Sequence, residues 1–233
     1  MSRAEKRKQE LERIIFIGRT FEEYMQMFDF ELQELKGKSI LDCPAGACSF
    51  TTIGSSQGLN ITACDIAYDH PIDDLERKGL QDTEHAMETM ERAKDIFIWD
   101  FYENVQGLGK HRHQALHDCV KDMRENPGRY VAATLPKLPF EESQFDLVLS
   151  AHFLFMYGDR LDYAFHQETI RELLRVTAGE LRIFPFVDLT GTRYENLDRL
   201  VSELQEDGLQ TEERSVPYEF LQNANSMLCI RKR

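Results

Sequence analysis

Positive charge is scarce in this chain: 28 lysines and arginines face 41 acidic residues, a formal net charge of −13. A surface of that sign repels nucleic-acid backbones unless a local basic face compensates. The only dense basic run, Arg3, Lys6, Arg7, Lys8 and Arg13, is broken by glutamates and reads as a solvated terminal helix. Nucleic acid is therefore disfavoured as a partner. Long apolar runs are also missing. None approaches the roughly 20 residues of a membrane span, and no apolar segment of the secretory kind follows the charged opening, so no membrane association is expected. Cysteines are few and odd in number: Cys43, Cys48, Cys64, Cys119 and Cys229. Their apolar, strand-like settings fit packed thiols in a reducing, cytoplasmic setting better than a disulfide framework. Finally, no G-x-G-x-x-G follows the first strand, which disfavours a dinucleotide site.

What is present suits one large domain: 233 residues, of which 42% are hydrophobic. Thr20 and Glu23 form a capping-box signature. Phe21, Tyr24, Met25, Phe28, Leu32 and Leu35 then recur at helical spacing as far as Gly37, so residues 1–37 read as an N-terminal helical segment. Residues 38–233 alternate strands with helices. Strands are expected near 39–42, 59–66, 130–134, 145–150, 179–186, 209–216 and 226–232, and helices near 49–57, 163–176 and 194–207. This alternation implies an α/β, doubly wound, mostly parallel sheet with helices on both faces. Between the second and third strands the connection is far longer than an ordinary α/β loop. It reads as a helical insertion at about 70–127, with helical patterns over 83–105 and 111–126 joined by the Gly107/Gly109 segment.

The stretch "ILDCPAGACSF" ends the first strand in Asp42 and enters a loop of small residues. In a doubly wound sheet, ligands bind beyond the carboxyl ends of the strands, at this switch point. Gly46 allows close backbone approach, and Ala45 and Ala47 keep the surface open. Asp65 at the end of the second strand can accept hydrogen bonds from a ribose diol. Pro44 removes a backbone donor, and Asp42 repels anions but suits a cation. A nucleoside without phosphates, carrying an ammonium or sulfonium, fits this pattern better than NAD.

"ILDCPAGACSF", the acid in "ACDI" and above all "LPFEESQFDLVLSAHFLFMY" resemble class I S-adenosylmethionine-dependent methyltransferases. Leu138, Pro139, Phe140, Glu142, Phe145, Asp146 and Val148 match the family's strand-4 segment. The resemblance implies a seven-stranded sheet with a terminal antiparallel strand, S-adenosyl-L-methionine as cofactor and a small-molecule methyl acceptor. It also implies that Asp42, Ala45 and Gly46 hold the methionine end, Asp65 the ribose, Thr134 and Leu135 the adenine edge, and the Ser150 carbonyl the methionine ammonium. Pro44 and Cys48 replace two loop glycines, and Thr134 stands where an aspartate often meets adenine. Those departures keep a catalytically inactive cofactor-binding protein as an alternative, with an NAD-dependent oxidoreductase behind it.

Other residues carry weaker signals. His152 and Tyr157 follow the fourth strand, where an acceptor would approach, and are the candidate catalytic residues; His166 lies further on. His111, His113, His117 and Asp118 do not make up a full ligand set, so no metal is expected. Phe97, Trp99, Phe101 and Tyr102 either anchor the insertion or line the acceptor side of the pocket.

Overall fold

The computed structural model describes residue 11 and residues 14–232; the basic run Arg3–Arg13 lies outside the described residues. Seven strands form one sheet in the order β3-β2-β1-β4-β5-β7-β6: β1 Ser39–Asp42, β2 Asn60–Asp65, β3 Tyr130–Ala132, β4 Phe145–Ala151, β5 Thr177–Phe184, β6 Gln210–Ser215 and β7 Ser226–Arg231. β1 to β5 pair in parallel, while β7 runs antiparallel to both β5 and β6. The central strands are buried on both faces, as near-continuous apolar runs in a covered parallel sheet require.

The expected N-terminal helix is two helices. α1 (Phe21–Met27) starts at Thr20 with the predicted capping box, and α2 (Leu32–Leu35) follows. Between them Asp29 takes a left-handed φ of 50°, which ends the first helix although the apolar spacing continues. α3 (Phe50–Ser56) follows the β1 loop, α6 (Tyr163–Val176) precedes β5, and α7 (Leu197–Glu206) precedes β6.

The insertion is a hairpin of two 21-residue helices, α4 (Ile72–Arg92) and α5 (Val105–Glu125). Its internal boundaries differ from the expected ones. α4 begins after Pro71, with Asp73 and Asp74 favourably placed in its positive first turn, and stops at Arg92. Residues 97–104 are not helical; Gly107 and Gly109, expected as a linker, lie inside α5. Asn104 caps that helix by accepting from the Gly107 N–H (2.9 Å). The carbonyl of Tyr102 lies 1.9 Å from where a Gly107 Cβ would stand, so the close approach requires glycine. α5 buries Leu116, Cys119 and Val120 beside Ala47 and Ala67, and α4 joins the same cluster through Leu75.

The aromatic residues of 97–102 pack inward. Phe97 stacks on Phe220 at 4.7 Å, and Tyr102 meets Phe220 edge-on at 4.9 Å. The Ile98 N–H donates to the Phe220 carbonyl (2.7 Å). At the base of this contact lies a buried ionic network. The Glu23 carboxylate receives both of its oxygens' contacts from Arg112 Nη1 at 2.8 Å, together with hydrogen bonds from Tyr102 and Tyr218. Burial alone would raise the Glu23 pKa, but Arg112, the Thr20 N–H and Tyr102 outweigh it and hold the carboxyl below its usual range. Glu23 thus caps α1 and anchors the insertion at once.

Candidate functional site

The β1 loop is held tightly from within. The Ala45 N–H donates to the Cys64 carbonyl (3.0 Å) and the Gly46 N–H to Asp65 Oδ2 (2.8 Å). The Gly46 carbonyl accepts from Tyr68 (2.7 Å). Gly46 has φ 56°, a conformation that favours glycine. Segment 14–19 lies directly over this loop: the Ile17 carbonyl oxygen is 2.9 Å from where a Gly46 Cβ would be, and a Gly18 Cβ would fall 1.8 Å from the Ala47 oxygen. The Ser49 N–H closes the contact onto the Arg19 carbonyl (3.0 Å). Sequence reasoning missed this strap; the pair Gly18 and Gly46 was its only trace.

Asp65 is 7% exposed, and its two oxygens accept from the Gly46 and Ala67 amides. Burial raises its pKa, against the pull of those two amides. Beyond it, at the carboxyl ends of β2 and β3, a cavity of about 500 Å³ is lined by Ile14, Ile66, Asp69, His70, Ala132, Ala133 and Thr134. Of the expected adenine-edge pair, Thr134 lines this cavity, while Leu135 packs beside the core under β4 and β5.

The other half of the site has a different character. Asp42 is fully buried; Oδ1 accepts from the Tyr24 hydroxyl (3.0 Å) and Oδ2 has no partner. Burial pushes its pKa well above the usual carboxylate range, and the Arg19 guanidinium and Tyr24 only partly oppose this. Arg19 Nε, Ser150 Oγ and His152 Nδ1 are likewise buried without partners. β1 and β4 are neighbours, with Asp42 opposite Leu149, so Asp42 and Ser150 stand at adjacent strand ends. Buried polar atoms are nearly always satisfied, so these four orphans make this end of the sheet a candidate for a polar ligand.

His152 has φ 52°, left-handed for a non-glycine residue, a conformation costing on the order of 1–3 kcal/mol and concentrated at functional sites. Its Nε2 lies 3.2 Å from Met27 Sδ and its ring meets Phe184 edge-on. Burial, then the charges of Arg19 and Arg112, lower its pKa well below the usual value. Tyr157 sits further out, in a cluster with Met156, Val187, Leu221 and Phe97, with the Arg160 guanidinium 5.6 Å from its ring. His166 is fully buried and braces this turn from behind: Nε2 lies 3.0 Å from the Leu154 carbonyl oxygen.

This sheet, with β7 alone reversed and the site at the carboxyl ends of β1, β2 and β4, is the fold of the class I S-adenosylmethionine-dependent methyltransferases. The chain belongs to the same family as the uncharacterized protein MJ0045 of Methanocaldococcus jannaschii, 34% identical over 219 residues that span 94% of this chain and 96% of the relative. No family model matches. Among solved structures, magnesium protoporphyrin IX methyltransferase from Synechocystis, with bound S-adenosylmethionine, aligns at 10% identity and TM-score 0.49, over 97% of this chain and 80% of that one. A methyltransferase from Aquifex aeolicus aligns at 12% identity and TM-score 0.44, over 99% and 97%. No helix among the described residues is long and apolar enough to cross a membrane.

Proposed function

We propose that this protein transfers the methyl group of S-adenosylmethionine to a small-molecule acceptor. The observation that carries the reading is the set of buried, unpartnered polar atoms at the ends of β1 and β4, on the far side of the β1 loop from the cavity at β2 and β3. The residues fit the cofactor. Asp42 Oδ2 offers a buried carboxylate oxygen to an ammonium, and Arg19 offers its unpaired Nε–H to a carboxylate, which together match the amino-acid end. Ser150 stands beside them. Ile66, Thr134 and the strap residue Ile14 would enclose the nucleoside. Asp65 orders the loop through two amides and keeps lone pairs for a ribose diol, because each carboxylate oxygen can accept twice.

When bound, the cofactor supplies a methyl carbon on a positively charged sulfur leaving group. The protein's part is to hold an acceptor atom in line at near-attack distance, which accounts for several kcal/mol of the barrier. The closed strap and the buried setting of Asp42 and His152 would keep water from that space. Of the two candidate catalytic residues after β4, His152 is the one with Nδ1 buried beside Asp42 and Arg19, while Tyr157 packs in the outer cluster.

Calorimetry with S-adenosylmethionine and S-adenosylhomocysteine tests the reading; both should bind, and absence of binding by either overturns it. Of the loop amides, Pro44 has none and those of Ala45, Gly46 and Cys48 are paired within the protein, which leaves little for the pyrophosphate of NAD. The second reading is a binding protein without turnover, favoured by the internal pairing of the Ala45, Gly46 and Cys48 amides. Cofactor binding without methyl transfer to any fraction of a cellular small-molecule extract would select it.

A further inference from the structure

We propose that His152 is the general base of this site, acting through Nδ1, and that the acceptor is an uncharged group presenting an O–H or N–H to that atom. This deepens the methyl-transfer reading and rests on it.

The argument begins with the tautomer. A thioether sulfur can only accept, so the 3.2 Å contact with Met27 Sδ places the ring proton on Nε2. Nδ1 then carries a bare lone pair, and it is buried without a partner. A bare nitrogen buried without a protein partner is open to a donor that arrives with a ligand. The backbone fixes the ring's position: His152 is held left-handed at φ 52°, with its N–H on the Phe184 carbonyl at 2.6 Å.

The electrostatics agree. The charges acting on the ring are Arg19, from the strap, and Arg112, from α5. α1 contributes Met27, and β5 contributes Phe184. Glu23, also on α1, is paired with Arg112, and Asp42 on β1 accepts from Tyr24 through Oδ1, its Oδ2 having no partner. No carboxylate is therefore hydrogen-bonded to the imidazole, and burial with two cations keeps it neutral and able to take a proton at neutral pH. The same two cations would not demand an anionic acceptor, because Arg112 is neutralised by Glu23 and Arg19 faces Asp42.

The step balances with a methyl sulfonium donor. The acceptor heteroatom's lone pair forms the bond to the methyl carbon, and the carbon–sulfur bond breaks with its electron pair going to sulfur. The acceptor's proton passes to Nδ1. The positive charge of the site thus moves from sulfur to imidazole with no net change. Tyr157 does not share this role; its ring is packed in the outer cluster with Val187 and Leu221.

The test is nitrogen NMR on protein with isotope-labelled histidine, first free and then with S-adenosylhomocysteine. His152 should be the neutral Nε2–H tautomer at neutral pH and should stay neutral as the pH falls through the range where an ordinary histidine charges. Phenol, a neutral O–H donor, should shift the Nδ1 resonance, whereas anisole, its O-methylated counterpart, should not. His152→Asn, chosen because asparagine tolerates left-handed backbone, should keep the melting temperature and S-adenosylhomocysteine affinity within about twofold. Once an acceptor is in hand, it should lose about 100-fold or more in kcat. A proton on Nδ1, an imidazolium at neutral pH, equal responses to phenol and anisole, or unchanged turnover in the variant overturns the proposal. If S-adenosylhomocysteine fails to bind while the tautomer is as expected in the free protein, it is the cofactor reading that fails.

Discussion

The two halves of the site solve opposite problems. At the ends of β2 and β3 there is an open cavity whose framework is backbone hydrogen bonding: Asp65, Ala45 and Gly46 are all satisfied by the protein. At the ends of β1 and β4 the polar atoms Asp42 Oδ2, Arg19 Nε, Ser150 Oγ and His152 Nδ1 are side-chain atoms left unsatisfied. The first half is preformed and stable without a ligand. The second carries the cost of buried polar atoms without partners. Under the proposed methyl-transfer reading, shape is built in at the nucleoside end and binding energy is held in reserve at the reacting end.

The largest expected effect comes from removing the wall of the closed half. Arg112→Met strands the Glu23 carboxylate in a fully buried position, which should cost about 3–5 kcal/mol of stability, because a buried charge loses its partner. Chemical denaturation measures it. The double variant Glu23→Leu with Arg112→Met should recover much of that loss; a double variant as unstable as the sum of the singles would show that the two residues act independently.

Asp42→Asn should separate stability from binding. The folded pKa of Asp42 is raised above its unfolded value, so the folded protein binds that proton more tightly. Its contribution to stability is full below the unfolded value of about 3.9 and is lost as pH rises toward the folded value. At neutral pH the substitution should raise the melting temperature of the cofactor-free protein and flatten its pH dependence above about pH 4. The same substitution should weaken S-adenosylmethionine binding by about 1.5–3 kcal/mol, the worth of a charge-assisted hydrogen bond. Melting and affinity moving in the same direction would remove the contrast between the halves.

Asp65→Ala should act through the loop as well as through the ribose. Losing the acceptor for the Gly46 and Ala67 amides should weaken cofactor binding by about 1–3 kcal/mol and lower the melting temperature at the same time. A loss of affinity with no change in melting would make Asp65 a ligand contact alone. The smallest effect belongs to Thr134→Val. It removes one hydroxyl at the rim of the cavity and should cost about 0.5–1.5 kcal/mol in affinity, read by the same calorimetry.

Much of this was legible in the residues. The strand β1 ending at Asp42, the α6 range and the reversal of β7 follow from apolar period, turn residues and the resemblance around "LPFEESQFDLVLS". Three features were not legible. The break at Asp29 was hidden because apolar spacing runs through it. Gly107 read as a linker because its need, the close carbonyl of Tyr102, lies outside its own helix. Glu23 read as a cap only, since its partner Arg112 is 89 positions away.

The sequence by itself determined the order of the strands and the placing of Asp42 and Asp65 at the ends of β1 and β2, because periodicity, caps and turn chemistry are local. The tertiary structure alone decided which polar atoms go unpaired. Asp42 Oδ2, Arg19 Nε and His152 Nδ1 are distant in the chain, and each is an ordinary polar atom until burial removes its water. It also decided that segment 14–19 lies over Gly46, a contact between backbones that no side-chain pattern encodes. Desolvation depends on what packs around a group, and packing is set by the whole fold.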